Sequence, residues 1–218
     1  MNNLQCVIFD MDGVIVDTEP LHKKAYYQLF ESLNIDVSPE LYHSFTGGST
    51  INICQKLIDI FKLDENPQDL VLRKRANFVK LFTNDPSLQL ITGVEDLITY
   101  YYNKGITLVL ASSASMETIN RVFTRFELDQ YFIGKLSGAD LKQSKPHPEI
   151  FEKAAALANT PRKHCIVIED SDKGVEAANR AGIFCVGYTS EHSKLQDLQH
   201  ADLVISDFNE LKNLLQIT

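Results

Sequence analysis

Apolar residues in this chain follow two different periods, and the change from one to the other marks out its elements. Val7, Ile8 and Phe9 form an unbroken apolar run, which suits a strand buried on both faces of a parallel sheet. Leu21, Ala25, Leu29 and Leu33 then recur at every fourth position. That spacing predicts a helix over 20–34, with Pro20 in the first turn, where a missing N–H is tolerated. Helical spacing persists through 39–45, 51–61 and 69–82, and no strand pattern interrupts it. From residue 94 onward the two periods alternate. Helices are predicted over 94–103, 116–126, 148–157, 174–181 and 209–215; strands are predicted over 106–111, 131–136, 165–168 and 183–187, with a weak one over 203–205. This alternation predicts an α/β fold with a doubly wound parallel sheet. The helical block lies between the first strand and the remainder. The predicted organisation is therefore a core of 1–16 and 88–218 with a small all-helical subdomain, 17–87, inserted after the first strand.

Composition narrows the partners. With 218 residues, 44% hydrophobic and 23% charged, the chain is an ordinary globular protein that buries roughly 70% of its unfolded surface. A formal net charge of −8 argues against nucleic acid or an anionic membrane as partner, since binding either needs a basic stripe. Arg73-Lys74-Arg75 is too short to reverse that. Cys6, Cys54, Cys165 and Cys185 are scattered without C-x-x-C spacing, so buried, reduced thiols in a cytoplasmic protein are expected. No basic-then-apolar leader pattern opens the sequence and no apolar stretch approaches a bilayer span. No apolar stripe stands out beyond the needs of a core, and a monomer is the expectation.

The residues at the ends of the predicted strands carry the candidate chemistry. They are Asp10 and Asp12, then Ser112 with Ser113, then Lys145 in S-K-P-H-P-E, then Glu169 with Asp170. Ligands of open parallel sheets gather at the carboxyl ends of the strands. Asp10 and Asp12 sit two apart, so extended geometry would send both side chains to one side, and Gly13 permits a sharp turn. Carboxylates held that close repel unless a cation or a shared proton relieves them. Acids of this kind suit Mg²⁺, which takes one or two protein carboxylates beside substrate phosphate oxygens. A hydroxyl, a lysine and backbone N–H groups suit the phosphate itself. Each station has an ordinary explanation when taken alone. Ser112, Ser113 and Ser171 suit helix caps, Lys145 a solvated position, and Glu169 with Asp170 a helix N-terminus. Four stations in order, each at a strand end, weigh together for a site.

These stations carry a resemblance. D-M-D-G-V at 10–14, the serine of V-L-A-S-S at Ser112, S-K-P-H-P-E around Lys145 and I-E-D-S-D-K-G-V-E-A-A at 168–178 resemble the four motifs of the haloacid-dehalogenase-like hydrolase superfamily, over nearly the whole chain. D-T-E-P-L-H at 17–22 and the helical insertion are similar to its sugar-phosphate phosphatase and beta-phosphoglucomutase branch, which has a small helical cap. The resemblance implies that Asp10 is the nucleophile, taking the phosphoryl group as an aspartyl phosphate. Asp12 is then the general acid and base, and Ser112 and Lys145 hold the nonbridging oxygens. It implies Mg²⁺ on Asp10, the backbone carbonyl of Asp12, and Asp170, with Glu169 ligating directly or through water. Ser113 and the cap residues His22, Thr46, Gly47 and Thr50 are the implied substrate contacts. By the resemblance, Asp12 excludes the dehalogenase branch, which lacks the second acid, and disfavours the phosphonatase branch, which has a small residue there and a cap lysine that forms an imine.

The cap bears on the substrate. Thr46-Gly47-Gly48-Ser49-Thr50 reads as a turn before a helix. In beta-phosphoglucomutase-like proteins the corresponding loop carries an arginine for a second phosphate, and Thr50 stands in that place here. His22 matches a mutase histidine linked to closure around sugar, yet D-T-E-P-L-H also occurs in plain phosphatases. Lys74 or Arg75 could meet a distal anion of the substrate, but a solvated helix face is the preferred reading. The expected function is a Mg²⁺-dependent phosphomonoester hydrolase for a small sugar or polyol phosphate, with beta-phosphoglucomutase as the alternative. A receiver-like phosphoacceptor domain is the third reading. Two features weigh against it: the second acid two residues after Asp10, and the long helical insertion, which exceeds the loops usual in such units. A receiver would also place its acceptor after a central strand, where Ser112 is expected.

Overall fold

The computed structural model describes residues 3–45, 49–190 and 196–214. The chain divides into two compact units, one of Met1–Asp17 with Gln89–Thr218 and one of Thr18–Leu88.

The first unit is a six-stranded, wholly parallel sheet. Its strands are β1 (Cys6–Phe9), β2 (Thr107–Ser112), β3 (Gly134–Ser137), β4 (Cys165–Glu169), β5 (Phe184–Tyr188) and β6 (Leu203–Ile205). They lie in the order β3-β2-β1-β4-β5-β6. The chain steps outward from β1 to β3 on one side, then crosses back to β4 and steps outward on the other. Such a reversal is the topological switch point of a doubly wound sheet, where ligands bind at the carboxyl edge. Ile8 pairs with Val109 on one side and Val167 on the other. β1 and β4 are buried along their whole length, which is why each reads as an apolar run without alternation.

The connecting helices of this unit are α5 (Val94–Asn103), α6 (Met116–Arg125), α7 (Glu149–Leu157), α8 (Asp172–Ala181) and α9 (Asn209–Leu214). Small residues let two of them approach the sheet closely. Ala154 and Ala155 of α7 and Ala177, Ala178 and Ala181 of α8 share one apolar core with Ile8, Val109, Val167 and Cys185. All four cysteines are buried free thiols.

The second unit holds α1 (Glu19–Ser32), α2 (Pro39–His43), α3 (Thr50–Phe61) and α4 (Pro67–Asn84). α1 and α3 pack against α4 around Leu29, Phe30, Leu57 and Leu70. Ser38, Ser49 and Asn66 cap α2, α3 and α4 by accepting backbone N–H bonds, which satisfies donors that a helix start leaves open. Among the described residues no helix is long and apolar enough to cross a membrane.

Three sequence expectations change. The third strand runs over Gly134–Ser137 and does not begin at Tyr131. Tyr131 ends a short 3₁₀ turn at Leu128–Gln130, and Phe132 packs edge-on against Phe9 and Phe123. Ser112 and Glu169 are the last residues of their strands, where the reading had them just beyond. Asp10, not Ser112, follows one of the two middle strands. The positional argument against a receiver domain therefore falls, because order along the chain is not order in the sheet.

Candidate active site

β1 ends at Phe9, and the chain then folds back on itself. Met11 O accepts from the N–H groups of Val14, Ile15 and Val16, and Gly13 N–H donates to Val16 O. Met11, Val14, Ile15 and Val16 are fully buried and anchor this turn. It is the turn, and not strand alternation, that keeps Asp10 and Asp12 close enough for their charges to interact. Gly13 has φ +85°, and a Cβ built there would lie 1.9 Å from Asp170 Oδ2. The Asp170 carboxylate thus rests where only glycine leaves room.

Lys145 ties the strand ends together. Its Nζ donates to Asp10 Oδ1 at 2.5 Å, to Glu169 Oε1 at 2.7 Å and to the carbonyl oxygen of Ala111 at 3.1 Å. An ammonium has three protons, and these three acceptors use all of them. The side chains of Lys145, Asp10 and Glu169 are only 6%, 8% and 1% exposed, so these are buried, charge-assisted bonds. The other oxygen of Glu169 accepts from Asp170 N–H at 2.8 Å and from Ser171 N–H and Oγ at 2.9 Å. Both carboxylate oxygens of Glu169 are therefore engaged within the protein.

The electrostatics follow from burial. Burial pushes the Asp10 carboxyl up, Lys145 opposes the rise, and Glu169 and Asp12 add to it, leaving Asp10 at about 7. Burial and then the charges of Glu169 and Asp10 hold Asp170 well above the carboxylate range. Burial alone would lower Lys145, but Asp10 and Glu169 outweigh it and hold its ammonium above the usual lysine value. Four carboxylates crowd one ammonium, an arrangement that favours protons or a cation.

Ser112 stands at the same sheet edge, beside Ala111, and is 1% exposed. Its Oγ accepts from Ala114 N–H at 3.1 Å, which leaves its own proton available to a ligand oxygen. Sequence reasoning missed Ser137, which is 3% exposed and donates to Ala114 O at 2.8 Å, pinning the same loop. Its only sequence signal is a hydroxyl at the end of a strand. Ser113, next along, is exposed.

The structure places the remaining candidates in the helical unit. Thr46 and Gly47 lie outside the described residues. Thr50 opens α3, and its side chain lies beside Tyr26. His22 stacks on Phe78 at 4.2 Å between ring centroids, and its Nδ1 lies 2.6 Å from Lys74 Nζ. Burial and then Lys74 hold His22 well below its usual pKa, so the ring is neutral. Its Nδ1 accepts from the ammonium and the ring proton sits on Nε2. Lys74 is 4% exposed, with Nζ 4.7 Å from the Tyr26 ring centroid and 5.4 Å from that of Phe78. The solvated reading of Lys74 is thus corrected, because it lies on the buried stripe of α4 with Leu70, Phe78 and Phe82.

Among the described residues no group of three or more His, Cys, Asp or Glu side chains forms a metal cage. The donors present are hard oxygens, with Asp170 seated against Gly13 and Asp10 beside it in charge. That set fits a small hard cation that keeps most of its waters and takes one or two carboxylates.

Comparison with known proteins decides the family. The family model for haloacid dehalogenase-like hydrolases matches residues 7–188. The chain belongs to that family. As such it is an enzyme, and its relatives place it in the branch of sugar-phosphate phosphatases and beta-phosphoglucomutases. It is 31% identical over 184 residues to a phosphorylated carbohydrates phosphatase of Thermotoga maritima, covering 83% of this chain and 82% of that one. It is 29% identical to hexitol phosphatase B of Escherichia coli K12, covering 80% and 78%. The crystal structure of a beta-phosphoglucomutase from Clostridium difficile superposes with a TM-score of 0.83 at 29% identity, covering 98% of this chain and 96% of that one.

Two predictions follow from this family member's charged cluster. A Cβ at residue 174 would lie 1.9 Å from the carboxylate carbon of Glu169, whereas alanine in a helix interior normally gains up to about 1 kcal/mol over glycine. The steric term wins here, and Gly174→Ala is expected to lower the melting temperature; a rise would mean that Glu169 moves freely. The second concerns pH. Asp10 rises from 3.8 when unfolded to about 7 when folded, so its contribution to stability is complete below about pH 4 and is lost as pH rises through about 7. In EDTA, the melting temperature of the wild type relative to Asp10→Asn should fall across that window. A difference that stays flat would remove Asp10 as the titrating group.

Proposed function

We propose that this enzyme hydrolyses the phosphomonoester of a small sugar or polyol phosphate, with Asp10 receiving the phosphoryl group as an aspartyl phosphate. The observation that carries the reading is the Lys145 ammonium bound at once to Asp10 and Glu169. A carboxylate can attack an anionic phosphate only where positive charge offsets the repulsion, and Lys145 holds that charge against the attacking atom. Ser112, with its hydroxyl proton uncommitted to Ala114, donates to a nonbridging oxygen. Asp12, half-buried beside Asp10, protonates the leaving alkoxide and then takes a proton from the attacking water. The two steps divide one difficult displacement into two easier ones.

Mg²⁺ would complete the charge balance, because among the described residues of the cluster four carboxylates against one ammonium leave an excess of negative charge that repels the substrate. Asp10, Asp170 and the backbone carbonyl of Asp12 would hold it, and it would supply electrostatic stabilisation of the phosphoryl oxygens. Glu169 would ligate it directly or through water, while its carboxylate also holds Lys145 and the Asp170 backbone N–H. The named phosphatase relatives support a carbohydrate or polyol phosphate as the substrate class.

The second reading is beta-phosphoglucomutase, and the likeness to a beta-phosphoglucomutase over nearly the whole chain supports it. Against it, Thr50 stands where the resemblance expects an arginine.

Phosphate release over a panel of sugar and polyol phosphates separates the readings when run beside a coupled assay for glucose 6-phosphate. The coupled assay starts from beta-glucose 1-phosphate primed with glucose 1,6-bisphosphate. The expected result is Mg²⁺-dependent release of inorganic phosphate, silenced by EDTA and abolished in Asp10→Asn. Glucose 6-phosphate with little free phosphate would replace the phosphatase reading with the mutase.

A further inference from the structure

Ser171 sits between the charged cluster and the first turn of α8, and both claim its hydroxyl. Oγ accepts from Gly174 N–H at 3.1 Å, capping the helix, and donates to Glu169 Oε2 at 2.9 Å. A hydroxyl has one proton and two lone pairs, so a single atom serves both partners. On the far side of that carboxylate, Oε1 faces Lys145 Nζ at 2.7 Å, and Nζ in turn meets Asp10. Unbroken hydrogen bonds therefore run from Ser171 through Glu169 and Lys145 to Asp10. The terminal torsion of a glutamate is soft, and what fixes this one, besides Lys145 itself on Oε1, is the set of donors on Oε2. Two of those donors are backbone N–H groups; the third is the Ser171 hydroxyl.

We infer that Ser171 is a positioning residue: by fixing the Glu169 carboxylate it holds the Lys145 ammonium against Asp10. The inference rests on the proposed role of Asp10 as phosphoryl acceptor and deepens it. Helix capping alone would not require this residue type, because aspartate and asparagine cap as well as serine. An ionised aspartate accepts from Gly174 but has no proton for Glu169. Serine and threonine meet both demands.

The test compares Ser171→Ala, Ser171→Asp and Ser171→Thr with Asn66→Ala, which removes only the cap of α4. Three quantities are read: the melting temperature, kcat and KM on the best substrate of the panel, and the side-chain ¹H–¹⁵N signal of the Lys145 ammonium. Lys145→Arg assigns that signal. Ser171→Ala and Asn66→Ala should both melt about 2–4 °C lower, as expected for loss of a cap in a chain of this size. Ser171→Ala and Ser171→Asp alone should lose about tenfold to a hundredfold in kcat with KM nearly unchanged, and should lose the protected ammonium signal to exchange. Ser171→Asp keeps a capping oxygen, so it tests the same point if the alanine variant does not fold. Ser171→Thr should restore both readouts. If Ser171→Ala behaves as Asn66→Ala does, with kcat and the Lys145 signal intact, Ser171 is a cap and the inference is overturned. If the Lys145 signal depends on Ser171 as described while the wild type releases no phosphate from any substrate, the positioning stands and the phosphatase reading falls.

Discussion

The Lys145 ammonium, buried between Asp10 and Glu169, is the interaction on which the site depends. Three acceptors from three different strand ends share its three protons. Breaking a buried ion pair by removing one partner costs about 3–5 kcal/mol, because the remaining charge is left without compensation. Here one cation compensates two carboxylates, so the constraint is tighter than in a simple pair. The sheet order makes it possible, since β1 and β4 are neighbours at the point where the winding reverses, and Asp10 and Glu169 emerge side by side.

The cluster is also overcharged, and in the proposed chemistry that is its use. An apolar core of this kind would gain stability from neutral residues, yet burial and mutual repulsion push Asp10 and Asp170 up instead. Groups held in that state accept a proton or a cation readily. In the proposed function Asp12 would carry the proton, and Asp10 and Asp170 would help to hold the divalent cation. Glycines at 13 and 174 are the steric counterpart, since a side chain at either position would strike the Asp170 or Glu169 carboxylate. Close approach and high charge are achieved by the same few residues.

Much of this was legible in the chain because the strands are short, unbroken apolar runs that end abruptly in polar residues. β1 and β4 show it most clearly, each ending at an acid or just before one. β3 was legible only in part, because Tyr131 and Phe132 look like strand residues but serve a turn and the aromatic packing around Phe9 and Phe123. Spatial strand order was not legible, since spacing along the chain carries no information about the direction of each crossover. Lys74 was misread for a chemical reason. A lysine on a helix usually faces water, but Leu70, Lys74, Phe78 and Phe82 recur at four and define one buried stripe. The shared hydroxyl of Ser171 could not be read from sequence at all, because capping explains the same residue type. Thr46 and Gly47 lie outside the described residues, and their proposed part in substrate binding rests on resemblance.

The central claim, that Asp10 carries the phosphoryl group, is tested most directly by chemical trapping. Enzyme turning over a sugar phosphate from the panel is quenched in acid and treated with borohydride, which reduces an acyl phosphate to an alcohol but leaves a free carboxylate unchanged. Peptide mass mapping then shows which residue was modified. The account predicts conversion of Asp10 to homoserine in a substrate-dependent manner and at no other acid. Reduction at a different carboxylate, or undiminished turnover by Asp10→Asn, would contradict it.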